Sequence, residues 1–374
     1  MNIADIDKNL AYTVISERDI RWINANKKPF SLHGVTYSAE EQCYRRMTKE
    51  VAEASDLSEG MPYLCYSTAG GRLRFQTDSP YVALKCVIPS RDIMEHMPMV
   101  GSFGFSIYSD GKYAGKYAPI WKNILNPIEG DVPRQGVYYT LNYGKVSFDG
   151  INYFLGTGMR EIELHFPLYG GVFEFYVGVK EGAKILPPRE YTYKKPVVFY
   201  GSSITQGGCA SHSGNDYVAL VSRWLDTDFL NLGFSGSAKA EKTIRDYLAS
   251  LDPSIYVLDY DHNAPNAEYL QRTHYPLYQA IREKHPTTPI VFMSKPDCDY
   301  DPNANERRAV IYETYRKAQE NGDTNVSFID GKTLFGENDR DCCTVDKCHP
   351  NDLGFYRMAQ VVYPVLMKYL MKED

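Results

Sequence analysis

The chain has 374 residues, 43% of them hydrophobic and 24% charged, with a formal net charge of −6. That length exceeds one comfortable core, so two domains are expected, and the composition excludes a disordered protein. The acidic balance excludes a general nucleic-acid-binding surface, which would need a basic excess.

The opening residues, "MNIADIDKNLAYTVISERD", contain no basic stretch leading into an apolar run, and no later run is long and apolar enough to span a bilayer. The expectation is a cytoplasmic protein with no membrane partner. The eight cysteines are scattered, with no short disulfide framework, which favours reduced thiols.

A short helix is expected near "SAEEQCYRRMTKEVAEA", and residues up to about 195 otherwise read as β. "RLRFQTD" and "YVALKCVIP" are strand-like runs. "FSIYSDGKYAGKY" and "KVSFDGINYF" each set Asp-Gly among alternating apolar residues, which predicts hairpin turns at Asp110-Gly111 and Asp149-Gly150. "REIELHF" and "GVFEFYVGV" follow. Many short strands with turn signals point to an all-β sandwich of jelly-roll type over residues 1–190.

"GAKILPPREYTYKKP" reads as a linker, and the rhythm changes after it. Over residues 191–374, strand-like "VVFY", "FLNLG", "IYVLDY", "PIVFMS" and "VSFID" alternate with helical patterns, ending on "NDLGFYRMAQVVYPVLMKYL". Alternation of this kind means an α/β domain whose parallel sheet is covered on both faces.

The first of those strands runs into "GSSITQGG". In open parallel sheets, ligands sit beyond the carboxyl ends of the strands, so Ser202 and Ser203 stand where chemistry is expected. A P-loop is excluded because no GK[ST] follows, and the dinucleotide GxGxxG and the hydrolase elbow GxSxG are also missing. A serine nucleophile remains, and it needs a base with an orienting carboxylate. Of the eight histidines, His349 in "VDKCHPNDLGF" lies between the last strand and the last helix, with Asp346 three residues earlier. Taken singly, Ser203 is a turn serine and Asp346 a loop or capping residue. Their joint placement at one sheet edge makes them a candidate triad.

Zinc ligation by Cys342, Cys348 and His349 is disfavoured, because the adjacent Cys342 and Cys343 are poor chelating geometry and no second metal motif follows. No metal is expected.

"YGSSITQGG", "NLGFSGSAK", "LDYDHNAPN" and "DKCHPNDLG", in this order, resemble the SGNH (GDSL-type) hydrolase superfamily, and within it two-domain members that carry an N-terminal β-sandwich. The resemblance covers residues 196–374 well and the front half more loosely, through "GFSIYSDGKY" and "GVFEFYVGVK". It implies a flavodoxin-like three-layer α/β/α catalytic domain and a serine esterase working through an acyl-enzyme. By that resemblance Ser203 is the nucleophile, Ser202 holds the usual Asp position, and Asp346 and His349 complete the triad. The backbone N–H groups of Ser203 and Gly236 and the side-chain amide of Asn263 form the oxyanion hole. The third block departs from its usual Gly-x-Asn-Asp and reads Asp261-His262-Asn263-Ala264. No cofactor is implied.

Similar two-domain enzymes are carbohydrate esterases, so the resemblance implies a small-molecule or oligosaccharide ester, with O-deacetylation of a carbohydrate first. The 31 tyrosines suit sugar stacking but equally suit packing on β surfaces. A thioesterase or a lysophospholipid or short-chain acyl esterase is the alternative within the class. A non-catalytic carbohydrate-binding protein on a hydrolase fold is the alternative outside it. His212, Tyr260, Lys295 and Asp297 are candidate pocket residues, each weighed against a structural role. The oligomeric state is open.

Overall fold

In a computed structural model, the described residues are 6–7, 14–91, 93–120, 123–124, 144–296 and 301–371. The strands in chain order are β1 (Ile20–Asn24), β2 (Ser31–His33), β3 (Thr36–Ser38), β4 (Cys43–Arg45), β5 (Arg72–Thr77), β6 (Tyr81–Pro89), β7 (Phe105–Ser109), β8 (Lys112–Tyr117), β9 (Lys145–Tyr153), β10 (Arg160–His165), β11 (Glu174–Lys180) and β12 (Ile185–Leu186). They are followed by β13 (Tyr193–Gly201), β14 (Thr227–Gly233), β15 (Ile255–Asp259), β16 (Ile290–Met293) and β17 (Val326–Ile329).

The front half is a sandwich. One antiparallel sheet runs β1-β11-β6-β9 and the other β12-β5-β10-β7-β8, with β2 also on β5. Alternate residues of both sheets meet in one core that includes Leu73, Phe75, Leu84, Phe105, Leu164 and Val177. Asp110 and Gly111, both at positive φ, form the turn between β7 and β8 as predicted. Asp149 and Gly150 do not turn. They sit mid-strand in β9, opposite Lys85 and Leu84 of β6. Gly150 is there because the Tyr117 ring lies over it, 3.1 Å from where a Cβ would stand. The helix expected over "SAEEQCYRRMTKEVAEA" is reduced to α1 (Lys49–Ala52), because the residues before it pair as the β3-β4 ribbon. The segment read as a linker carries β12, still paired with β5, and the first residues of β13.

The back half is a parallel sheet in the order β14-β13-β15-β16-β17. Strand residues alternate between two apolar layers. Val197, Phe199 and Val257 face α5 (Tyr217–Leu225) and α9 (Asp352–Leu370). Val198, Tyr200 and Leu258 face α6 (Lys242–Ser250), α7 (Ala267–Lys284) and α8 (Ala304–Glu320). Burial on both faces explains why these strands read as continuous apolar runs. The strand order is flavodoxin-like, with its switch point between β13 and β15.

The front half adds to both layers. Met61 and Leu64 of α2 (Met61–Leu64) join the α6 side, and Met97 joins the α9 side. Asp56 accepts from the Thr243 backbone N–H at 3.0 Å, capping α6 from outside. Arg46 is buried and donates to the carbonyls of Leu64 at 2.7 Å, of Asn231 at 3.2 Å and of Gly233. Its guanidinium lies 4.4 Å from the Phe234 ring centre. Burial pushes it down to about 10, so it remains a cation at neutral pH.

Two glycines let a helix close onto the sheet. A Cβ on Gly201 would fall 2.0 Å from Thr205 Oγ1, and one on Gly233 2.1 Å from the Gln206 backbone N. Both contacts are with α3 (Ser203–Gln206), the turn that carries Ser203. Gly233→Ala is expected to destabilise the fold by about 1–3 kcal/mol through overpacking, read as a lowered urea midpoint. A midpoint unchanged from wild type would show that α3 yields without strain.

Candidate active site

The site grows from the end of β13. Ser202 is in extended conformation and caps α3, its hydroxyl accepting from the Ile204 N–H at 3.2 Å. A side-chain acceptor at that position is what the turn requires, and serine supplies it as Asp would. Its own N–H donates to the Asp259 carbonyl at 3.2 Å, tying the turn to β15. Ser203 is therefore the first helical residue, 4% exposed, with its hydroxyl held at the sheet edge.

His349 has to travel to reach it, because β17 is the far edge strand. Residues 331–351 run back across the strand ends. They finish in a small hairpin where Thr344 bridges Pro350 and the Val345 N–H donates to the His349 carbonyl at 3.0 Å. Asp346 stands at its tip, where Oδ1 accepts from the N–H groups of Cys348 at 3.0 Å and His349 at 2.7 Å. Its Oδ2 is 2.7 Å from His349 Nδ1, and His349 Nε2 is 2.8 Å from Ser203 Oγ. Burial raises the Asp346 carboxyl, but the hydrogen bonds from the His349 side chain and backbone outweigh it and hold it below its ordinary value. Asn351 then caps α9, accepting from the Gly354 N–H at 3.1 Å.

The other expected residues lie on the neighbouring exit loops. Gly236, at φ +66°, follows β14, and Asn263 lies on the 3-10 turn after β15. The Asn263 amide donates to the Phe234 carbonyl at 2.7 Å, so the two loops are bound together. Gln206 braces the first of them, accepting from the Ser235 N–H at 3.0 Å.

The candidate pocket residues are engaged elsewhere. Tyr260 is buried, its hydroxyl 3.0 Å from Thr273 Oγ1. Lys295 is buried and paired with Asp301. His212 stacks on Tyr113 at 4.3 Å and reaches the Ser213 carbonyl at 3.0 Å. Asp297 lies outside the described residues.

Of the neighbours around this centre, Cys209 and His96 were not singled out from sequence. Cys348 Sγ is 3.0 Å from His262 Nε2, and burial pushes that histidine down to about 4, so it is neutral. Cys209 is 3% exposed, and burial pushes its thiol up to about 12. His96 is exposed and comes from the front half, with its ring centre 5.6 Å from that of His349. No local motif marks His96, since its place depends on how the halves dock. The described cysteines are all free thiols. No helix among the described residues is long and apolar enough to cross a membrane.

Comparison with known proteins follows this division of the chain. Residues 194–367 match the GDSL-like lipase/acylhydrolase family, and residues 20–185 match the N-terminus of SGNH-hydrolase-type esterases. A search of curated proteins finds no match. Among solved structures, a Bacteroides ovatus protein described as a GDSL-like lipase is 27% identical, covers 94% of this chain and 98% of its own, and superposes with a TM-score of 0.78. The salicylyl-acyltransferase SsfX3 of a tetracycline biosynthetic pathway is 20% identical over the same shares, with a TM-score of 0.69. The acetyl xylan esterase Est2A of Butyrivibrio proteoclasticus is 12% identical, again over 94% and 98%, with a TM-score of 0.59. The two family matches, over a sandwich followed by a flavodoxin-like sheet, make this chain a two-domain GDSL-type member of the SGNH hydrolases, a family of ester-bond hydrolases.

Proposed function

We propose that the protein is a serine esterase in which Ser203, His349 and Asp346 act together, and that it removes acetyl groups from a carbohydrate. The observation that carries the mechanism is the unbroken run of hydrogen bonds from Ser203 Oγ through His349 to Asp346. Asp346 fixes the imidazole with a proton on Nδ1, which leaves the Nε2 lone pair facing the serine.

In the first half-reaction Ser203 Oγ attacks the ester carbonyl carbon and its proton passes to His349 Nε2. The carbonyl π electrons move onto oxygen, and the N–H groups of Ser203 and Gly236 and the Asn263 amide receive that charge. The amide has two hydrogens, one given to Phe234, and the second is the one assigned to the oxyanion. Collapse expels the alcohol, which takes the proton from His349. Water then attacks the acyl-enzyme, His349 takes a proton from it, and acid and free Ser203 are released with that proton returned to Oγ.

The carbohydrate substrate is supported by the likeness of fold to Est2A and to the family two carbohydrate esterases of Clostridium thermocellum and Cellvibrio japonicus, at TM-scores of 0.54 and 0.56. The likeness spans 81% of this chain for the Clostridium thermocellum enzyme, 95% for the Cellvibrio japonicus enzyme and 94% for Est2A, so it takes in residues of both halves.

The reading is tested with p-nitrophenyl acetate, butyrate and octanoate, followed by acetylated xylan. Acetate is expected to be cleaved best, and Ser203→Ala to lower kcat by roughly 10⁴-fold or more. A preference for octanoate would reject the acetyl assignment, and a fully active Ser203→Ala would reject the mechanism. Asn263→Ala is expected to lower kcat by roughly 10²–10³-fold with little change in KM. Unchanged turnover would remove Asn263 from the oxyanion hole.

A further inference from the structure

The reaction proposed above leaves two side chains beside His349 without a task. His96 reaches the centre from the front half, and Cys209 stands in the loop that follows α3. One ligand atom each from His96, Cys209 and His349 all lie within 4.8 Å of one another. Two imidazole nitrogens and one sulfur are a donor set that suits zinc. We propose that His96, Cys209 and His349 form a Zn2+ site, and that metal bound there switches the esterase off.

The three ligands are fixed to one another by neighbouring contacts. Met97 is buried in the apolar layer of the α/β half and Met94 packs against it, which pins the turn carrying His96. A Cβ on Gly101 would fall 2.3 Å from the Ala210 carbonyl oxygen, so the backbone after His96 lies directly against the loop of Cys209. The Cys209 N–H donates to the Pro350 carbonyl at 2.8 Å, one residue beyond His349. A site held in this way loses little freedom on binding. His96 is exposed and gives the metal its way in.

Asp346 occupies Nδ1 of His349, so Nε2 is the nitrogen left for a metal. A carboxylate behind a ligating imidazole fixes its tautomer and ring orientation, so the group proposed to orient the histidine for catalysis also suits it for zinc. On binding, Zn2+ takes the Nε2 lone pair and the Cys209 sulfur, and the thiol proton leaves to solvent. Ser203 keeps its proton and loses its base. The fourth tetrahedral position is left for water. No electron is transferred, and a chelator reverses the step. Loss of activity rests on the esterase reading, whereas the metal site itself does not.

Cobalt absorbs visibly and reports thiolate ligation, so it separates the two. Co2+ is titrated into the full chain, following the thiolate-to-cobalt band, and Zn2+ is titrated against p-nitrophenyl acetate hydrolysis. Wild type is expected to give the band and to be inhibited reversibly. His96→Ala and Cys209→Ser are expected to hydrolyse normally without metal and to bind Co2+ at least roughly 10–100-fold more weakly, as loss of even an outer partner does. Cys348→Ser, which removes the neighbouring thiol beside His262, is expected to behave as wild type. No band in wild type, or a band and inhibition unchanged in both His96→Ala and Cys209→Ser, would overturn the site. His96 is exposed, so its variant decides the matter even if Cys209→Ser fails to fold. If wild type hydrolyses no ester, the esterase reading fails while the cobalt band still judges the metal site.

Discussion

The close approach of α3 to the strand ends is the constraint on which the rest depends. Gly201 and Gly233 have no side chains, and that absence lets the turn with Ser203 sit directly over β13 and β14. Any Cβ at either position would push the serine outward. The remaining parts converge on the point so fixed. The loop after β14 is braced by Gln206 and by Asn263, and the hairpin with His349 is tied to the loop after α3 through Cys209 and Pro350.

The front half supports this centre from both sides of the sheet. Met61 and Leu64 enter one apolar layer, Met97 the other, and Arg46 holds the carbonyls at the end of β14 just before the loop with Gly236. Arg72 does similar work near the other end of that strand, buried, paired with Asp228 and 3.5 Å from the Phe229 ring centre. Buried guanidiniums engaged by carbonyls, a carboxylate and aromatic faces are costly to isolate, so the docking is specific rather than greasy. It is also what brings His96 beside His349.

Much of this was legible in the sequence where local chemistry decides the outcome. The parallel strands announce themselves because both faces are buried, and Asp110-Gly111 because a tight turn needs two positive φ values. Asp346 and His349 are legible because a three-residue spacing closes a turn onto its own backbone. The misreadings come from partners distant in sequence. Gly150 looks like a turn glycine but makes room for Tyr117. The helix expected after residue 38 gives way to strand pairing. Lys295 and Tyr260 look available until Asp301 and Thr273 engage them. His96 and Arg46 carry no local signal, because docking of the two halves defines their surroundings.

The account stands or falls on Ser203 as an activated nucleophile. Incubation with a fluorophosphonate, followed by peptide mass mapping, tests it most directly, since the probe labels only a serine whose hydroxyl is deprotonated on attack. The account predicts a single adduct on the peptide carrying Ser203, lost in His349→Gln although Ser203 remains. An unlabelled Ser203, or equal labelling with and without His349, would contradict it.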